Sequence, residues 1–189
     1  MTRPPLTRRH MIGLTTAALS APSLALAQDV RPSNTGVRRN TASFVPQRWQ
    51  DHFDKLGAAS IVADTTSRAL HFWSGDGQIY NVYPTSVPRT DELTKRGYTE
   101  IVRKRVGPDW TPTPNMLKED PTLEYMPPGP GNPLGTHAMY LSWPAYLIHG
   151  THDTRKIGRQ SSSGCIGLYN HMVEELFALA PVGTQVRII

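Results

Sequence analysis

A single cysteine, Cys165, stands among 189 residues. One thiol excludes an intramolecular disulfide framework and any zinc site that needs two or more thiolates. Charged residues make up only 19% of the chain and hydrophobic residues 38%. That balance excludes both a wholly disordered chain and a polytopic membrane protein. Acidic residues are missing altogether before Asp29. What is plentiful is glycine (15) and proline (17). They are too many for a helical bundle and favour strands and loops. The length suits one globular domain and little else.

The acid-free start has the pattern of an export signal over residues 1–27. Arg3, Arg8 and Arg9 form a basic head, an apolar stretch runs from Ile12 to Leu26, and Ala25-Leu26-Ala27 is a small-x-small cleavage site. Thr15, Thr16, Ser20, Pro22 and Ser23 interrupt the apolar stretch, which argues against a permanent membrane span. Thr7-Arg8-Arg9-His10-Met11-Ile12 resembles a twin-arginine signal; the plainer reading is a Sec signal with adjacent arginines. Removing residues 1–27 takes the net charge from +5 to +2, with 17 basic against 15 acidic residues. Nothing in that balance calls for a nucleic-acid partner. The expected mature protein is periplasmic and monomeric, without a membrane anchor. In an oxidising compartment a lone thiol is a candidate reactive group.

Residues 28–57 are polar and mixed and read as an arm or linker, with Phe44, Trp49 and Phe53 able to dock on the domain. Residues 58–189 form the expected domain, mostly β with one or two helices. Ile61-Val62-Ala63 is a short apolar run. Ala69–Trp73 and Gln78–Tyr83 flank the turn signal Gly75-Asp76-Gly77 and predict a hairpin with one buried face, Ile79 lying off the Tyr80 and Val82 side. Ile101–Val106 predicts another strand. Eight prolines then fall between Pro108 and Pro133, a long segment of the kind that is functional or disordered. Ala138–Leu141 and Tyr146–Ile148 are strand-like. Asn170 is placed to cap a helix over His171–Ala180, with an apolar stripe of Met172, Val173, Leu176, Phe177 and Ala180. Glu174 and Glu175 favour its N-terminal end, and Pro181 and Gly183 stop it. Val186–Ile189 closes the chain as a strand.

Chemistry concentrates between His149 and Asn170. Cys165 sits in a Ser- and Gly-rich stretch just before the predicted helix. A thiol becomes a nucleophile as its thiolate, which a neighbouring histidine promotes. The backbone of Ser163, Gly164 and Cys165 can turn its N–H groups toward a developing oxyanion. His149 ends an apolar strand, and Gly150 leaves space beside it. Nucleophile, base and oxyanion hole are the minimum for acyl transfer. The bland alternative is a small buried cysteine. A metal site from His149, His152, Asp153 and Cys165 is a weaker alternative, since His-x-x-His is a common spacing. No cofactor is implied.

Ile148-His149-Gly150-Thr151, Ile157-Gly158 and Ser162-Ser163-Gly164-Cys165-Ile166 together resemble the signature of YkuD-type L,D-transpeptidases, nearest the ErfK/YbiS group. The resemblance extends over Trp110-Thr111-Pro112-Thr113-Pro114-Asn115, Gly129-Pro130-Gly131-Asn132-Pro133-Leu134-Gly135 and Pro181-Val182-Gly183-Thr184. It implies a β-sandwich-like catalytic domain that transfers acyl groups between peptidoglycan stem peptides, donor and acceptor. It also implies Cys165 as nucleophile, His149 as general base, Gly150 as the carbonyl orienting that histidine, and Ser163, Gly164 and Cys165 as oxyanion-hole amides.

Two positions depart from the usual pattern. Ser163 stands where the family usually has histidine, and Gly167 where it usually has arginine. Serine carries no charge, and glycine replaces neither the charge nor the bidentate contact of arginine. Arg155 and Arg159, on the intervening loop, are candidates to supply a carboxylate-binding cation; the alternative is a solvated basic loop. The 108–133 segment is the candidate lid, with Trp110 and Tyr125 as candidate substrate-contacting walls, or else as ordinary packing. The departures bear on the donor bond and allow a cross-link between stem positions one and three rather than three and three. Release of the same thioester by water or by a protein amine, and a non-catalytic wall-binding module, stay open as alternatives.

Overall fold

The computed structural model describes residues 45–189. The export signal and the arm as far as Phe44 lie outside the described residues. Ten strands and two helices follow one another as β1 (Ala59–Asp64), β2 (Ala69–Ser74), β3 (Tyr80–Pro84), β4 (Val87–Pro88), β5 (Gly97–Val106), α1 (Pro114–Glu119), β6 (His137–Leu141), β7 (Leu147–His149), β8 (Gln160–Ser162), β9 (Ile166–Gly167), α2 (Asn170–Leu179) and β10 (Gln185–Ile188).

The Gly75-Asp76-Gly77 signal makes the turn it predicts. Asp76 accepts from Ser74 Oγ and from the Gln78 amide, and Gly77 takes φ +71°. β2 and β3 then pair antiparallel, with Trp73 opposite Tyr80. On β3 Tyr83 is buried, while Tyr80 is 42% exposed. β3 is the sheet's edge, and Tyr80 lies over Trp73 on the outside, ring centroids 5.1 Å apart. β2 and β1 are buried on both faces.

Eight strands form one sheet in the order β3-β2-β1-β10-β5-β6-β7-β9. β1 lies parallel to β10, and β7 parallel to β9. The ten-residue β5 is the corner. Gly97–Glu100 pair with β10, and Ile101–Val106 pair with β6 across a register shift between Ile101 and Arg103. A long strand shared by two half-sheets lets them fold face to face. Ile61, Phe72 and Tyr83 from one half accordingly share a core with Met139, Ile148 and Ile166 from the other. Burying each of these side chains stabilises the fold by about 1.5–3 kcal/mol relative to exposure. The sandwich is thus a single sheet bent around its own core.

α2 packs on β6 and β7 through buried Val173 and Leu176. Its cap is not the expected Asn170. Tyr169 occupies the capping position without a side-chain bond, and Asn170 is the first helical residue. At the other end Lys104 Nζ donates to the Phe177 and Ala180 carbonyls, a cation at the negative pole of the helix. The end of the arm is docked: Phe53 and Leu56 are buried with Val62 and Trp73, and Trp49 packs beside them. No helix among the described residues is long and apolar enough to cross a membrane.

Candidate active site

The site stands where β7 and β9 end side by side. Ile148 pairs with Ile166, and His149 with Gly167. Both isoleucines are fully buried on the core side. Side chains alternate along a strand, so His149 and Cys165, flanking that pair, face away from the core. Both line a cleft of about 690 Å³.

His149 is held by its neighbour. Its Nδ1 lies 2.5 Å from the Gly150 carbonyl oxygen. A carbonyl only accepts, so Nδ1 carries the proton and Nε2 is left with a free lone pair. Burial pushes the imidazole down to about 4, the nearby Lys156 charge adds to that, and the Gly150 carbonyl pulls the other way. Burial pushes the Cys165 thiol up to about 11, against a hydrogen bond from the Leu147 backbone. At neutral pH the resting pair is therefore thiol and neutral imidazole.

The loop around the thiol is tied by its own hydrogen bonds and leaves Cys165 half-buried. Gly164 has φ +132°, a conformation that favours glycine. Ser162 Oγ donates to the Cys165 carbonyl at 2.6 Å, and the Gly164 amide leans on Ser162 Oγ at a long 3.4 Å. Cys165 Sγ donates to the Ala145 carbonyl at 3.4 Å. Ala145 adopts φ +64°, left-handed for a residue with a Cβ, at a cost of about 1–2 kcal/mol. That strained residue closes the turn between β6 and β7 and aims its carbonyl at the thiol.

The proline-rich segment forms the facing wall. Thr113 caps α1, accepting from the Met116 amide at 3.3 Å, and Pro114 opens the helix. Trp110 and Met126 exchange backbone hydrogen bonds. Buried Asn132 donates to the carbonyls of Pro108, Met126 and Pro127 and closes the loop on itself. Trp110 lines the cleft, as do Met116 and Glu119 of α1. Ser163 lines it too.

Three residues expected near substrate stand elsewhere. Tyr125 is 57% exposed and does not line the cleft. Arg155 does not line it either; its guanidinium bonds both carboxylate oxygens of Asp153, out on the surface. The Arg159 side chain is likewise absent from the lining, and its backbone is tied to Val87. The cations that do line the cleft are Arg89 and Lys156. Arg89 follows β4, which pairs parallel with β8; its amide bonds the Ser162 carbonyl at 2.9 Å. Its guanidinium reaches across to Glu119 of α1. Sequence reading missed Arg89 because a two-residue strand far from Cys165 leaves no periodic signal. Among the described residues no three His, Cys, Asp or Glu side chains converge as a metal set.

A sheet bent into a sandwich thus carries a lone thiol and a carbonyl-pinned histidine in one cleft, residue types that can serve acyl transfer. Residues 58–188 match the YkuD family, the L,D-transpeptidase catalytic domain, and the chain belongs to that family. It is 62% identical over 173 residues to a putative L,D-transpeptidase from the ATP synthase subunits region of Fuscovulum blasticum, covering 92% of this chain and 89% of that one. It is 36% identical over 135 residues to the probable L,D-transpeptidase ErfK/SrfK of Escherichia coli K12, covering 68% of this chain. The match spans only 43% of that longer relative. Among solved structures, an L,D-transpeptidase from Mycobacterium smegmatis superposes with a TM-score of 0.56 at 19% identity, over 70% of this chain and 59% of that one. That likeness is one of fold.

Proposed function

We propose that this chain is a periplasmic peptidoglycan L,D-transpeptidase working through a Cys165 thioester. His149 Nε2 takes the thiol proton as Sγ attacks the carbonyl carbon of an L-centred residue in a donor stem peptide. The amides of Ser163, Gly164 and Cys165 receive the oxyanion; the long Gly164 contact to Ser162 yields readily to a charged acceptor. The intermediate collapses, the C–N bond breaks, and His149 returns the proton to the leaving amine. The amine of an acceptor stem attacks the thioester, gives its proton to His149, and forms the new C–N bond as Sγ leaves and is reprotonated.

One observation carries this reading: the Gly150 carbonyl fixes His149 in the tautomer whose lone pair serves a base, in the cleft that holds the thiol. The pair's neutral resting state favours proton transfer coupled to attack over a preformed ion pair. Arg89 and Lys156 take the carboxylate-binding role first assigned to Arg155 and Arg159. With Gly167 in place of arginine, the donor bond is the one that gives a cross-link between stem positions one and three. Purified disaccharide-peptides incubated with the mature protein and analysed by mass spectrometry test this directly. Cross-linked dimers, with fragmentation locating the bond, are expected, and Cys165→Ala abolishes both dimers and covalent labelling by a carbapenem. Undiminished turnover in that variant overturns the proposal.

A further inference from the structure

We infer that Asn170 is the residue that positions the His149 base, acting through the Gly150 backbone. This rests on His149 acting as the base of the proposed reaction. Asn170 Oδ1 accepts from the Thr151 amide at 3.0 Å and from the Thr136 amide at 3.3 Å. The two amides belong to different segments, one leaving β7 and one entering β6. The Gly150 amide in turn donates to the His137 carbonyl at 3.0 Å. Gly150 is thereby clamped on both sides, and its carbonyl is the acceptor for His149 Nδ1.

The sequence around the clamp is shaped to admit it. A Cβ at Gly135 would lie 2.2 Å from Asn170 Oδ1, and one at Gly150 would lie 2.3 Å from the same atom. Two bare backbones thus leave the slot that the carboxamide fills. Gly135 also has φ +63°, which glycine adopts at no steric cost. The base of Asn170 is itself rigid, because α2 is anchored by buried Val173 and Leu176. Helix capping does not account for this asparagine, since its side chain makes no cap bond and Tyr169 holds that position. Its acceptor oxygen is spent on two amides that no backbone partner serves. Losing it frees the Gly150–Thr151 peptide to rotate. His149 Nδ1 then loses a fixed acceptor, and the imidazole divides between its two tautomers, one of which presents N–H rather than a lone pair to the thiol.

The tautomer is read directly by long-range proton–nitrogen NMR of the full mature protein, with His149 assigned by its loss in His149→Gln. The wild type shows the Nδ1–H tautomer; an Nε2–H tautomer there overturns the inference outright. Asn170→Asp keeps the acceptor oxygen and retains the tautomer, with kcat within about threefold of wild type. Asn170→Leu keeps the size, loses the acceptor, gives a mixed tautomer, and lowers kcat about 100-fold with little change in KM. Asn170→Ser leaves room for water and carries the same test where the leucine variant does not fold. A folded Asn170→Leu or Asn170→Ser protein with a wild-type tautomer overturns the inference, whatever its melting temperature. The NMR arm needs no substrate. A failure of transpeptidation therefore strikes the proposed function, and a failure of the tautomer shift strikes this inference alone.

Discussion

The resting state of Cys165 sets a measurable rate. Burial moves the thiol from an ordinary 9.0 to about 11, so the thiolate fraction at pH 7 falls about 100-fold. A more basic thiolate is also more nucleophilic, by about 6–10-fold for a rise of two units. The two effects leave alkylation of Cys165 by iodoacetamide about tenfold slower than that of a free thiol at pH 7. His149, held down to about 4, stays neutral over the whole assay range above pH 5. The logarithm of the rate is therefore expected to climb with unit slope from about pH 5 to about pH 10, without a plateau. His149→Gln leaves that profile nearly unchanged while lowering transpeptidation by about 100-fold or more. A plateau between about pH 5 and pH 8 that vanishes in His149→Gln refutes the reasoning, because it is the mark of a preformed thiolate–imidazolium pair.

Three further outcomes are expected. His149 titrates at 6.5 when unfolded and about 4 when folded, so the unfolded chain binds more protons in between. The resulting stability is complete above pH 6.5 and is lost as pH falls through 4, about 3 kcal/mol in all; thermal melts of wild type and His149→Gln across that window read it as a shallower acid slope in the variant. Arg89→Ala raises KM about tenfold for a donor bearing a free carboxylate and leaves KM for its amidated analogue unchanged, whereas equal effects on both donors refute a carboxylate role. Gly167→Arg costs about 1–2 kcal/mol in chemical denaturation, because a Cβ there lies 2.4 Å from Ser86 Oγ; adding Ser86→Gly recovers most of the loss, and no recovery shows that the Ser86 contact is not the cause.

Local periodicity carried the reading of the strands and of α2, because burial of β1, β2, β6 and β7 follows from neighbours a few residues away. Non-local pairing did not show. β4 and β8 are too short to alternate, and the corner in β5 exists only because two different strands pair with its two ends. α1 did carry a signal: Thr113-Pro114 is a capping residue followed by proline at the first helical position. The proline count around it pointed to loop instead. Asn170 was singled out for the wrong task, since an asparagine ahead of an apolar stripe reads as a cap until the chain brings Thr136 and Thr151 to its oxygen. Gly167 is the deepest case. As a motif position it reads as a lost arginine. In the fold, Ser86 occupies the direction in which a side chain at 167 would leave the backbone, and the same segment runs on to deliver Arg89 into the cleft. Arg89 thus enters the cleft from the segment that takes up the space a side chain at 167 would need.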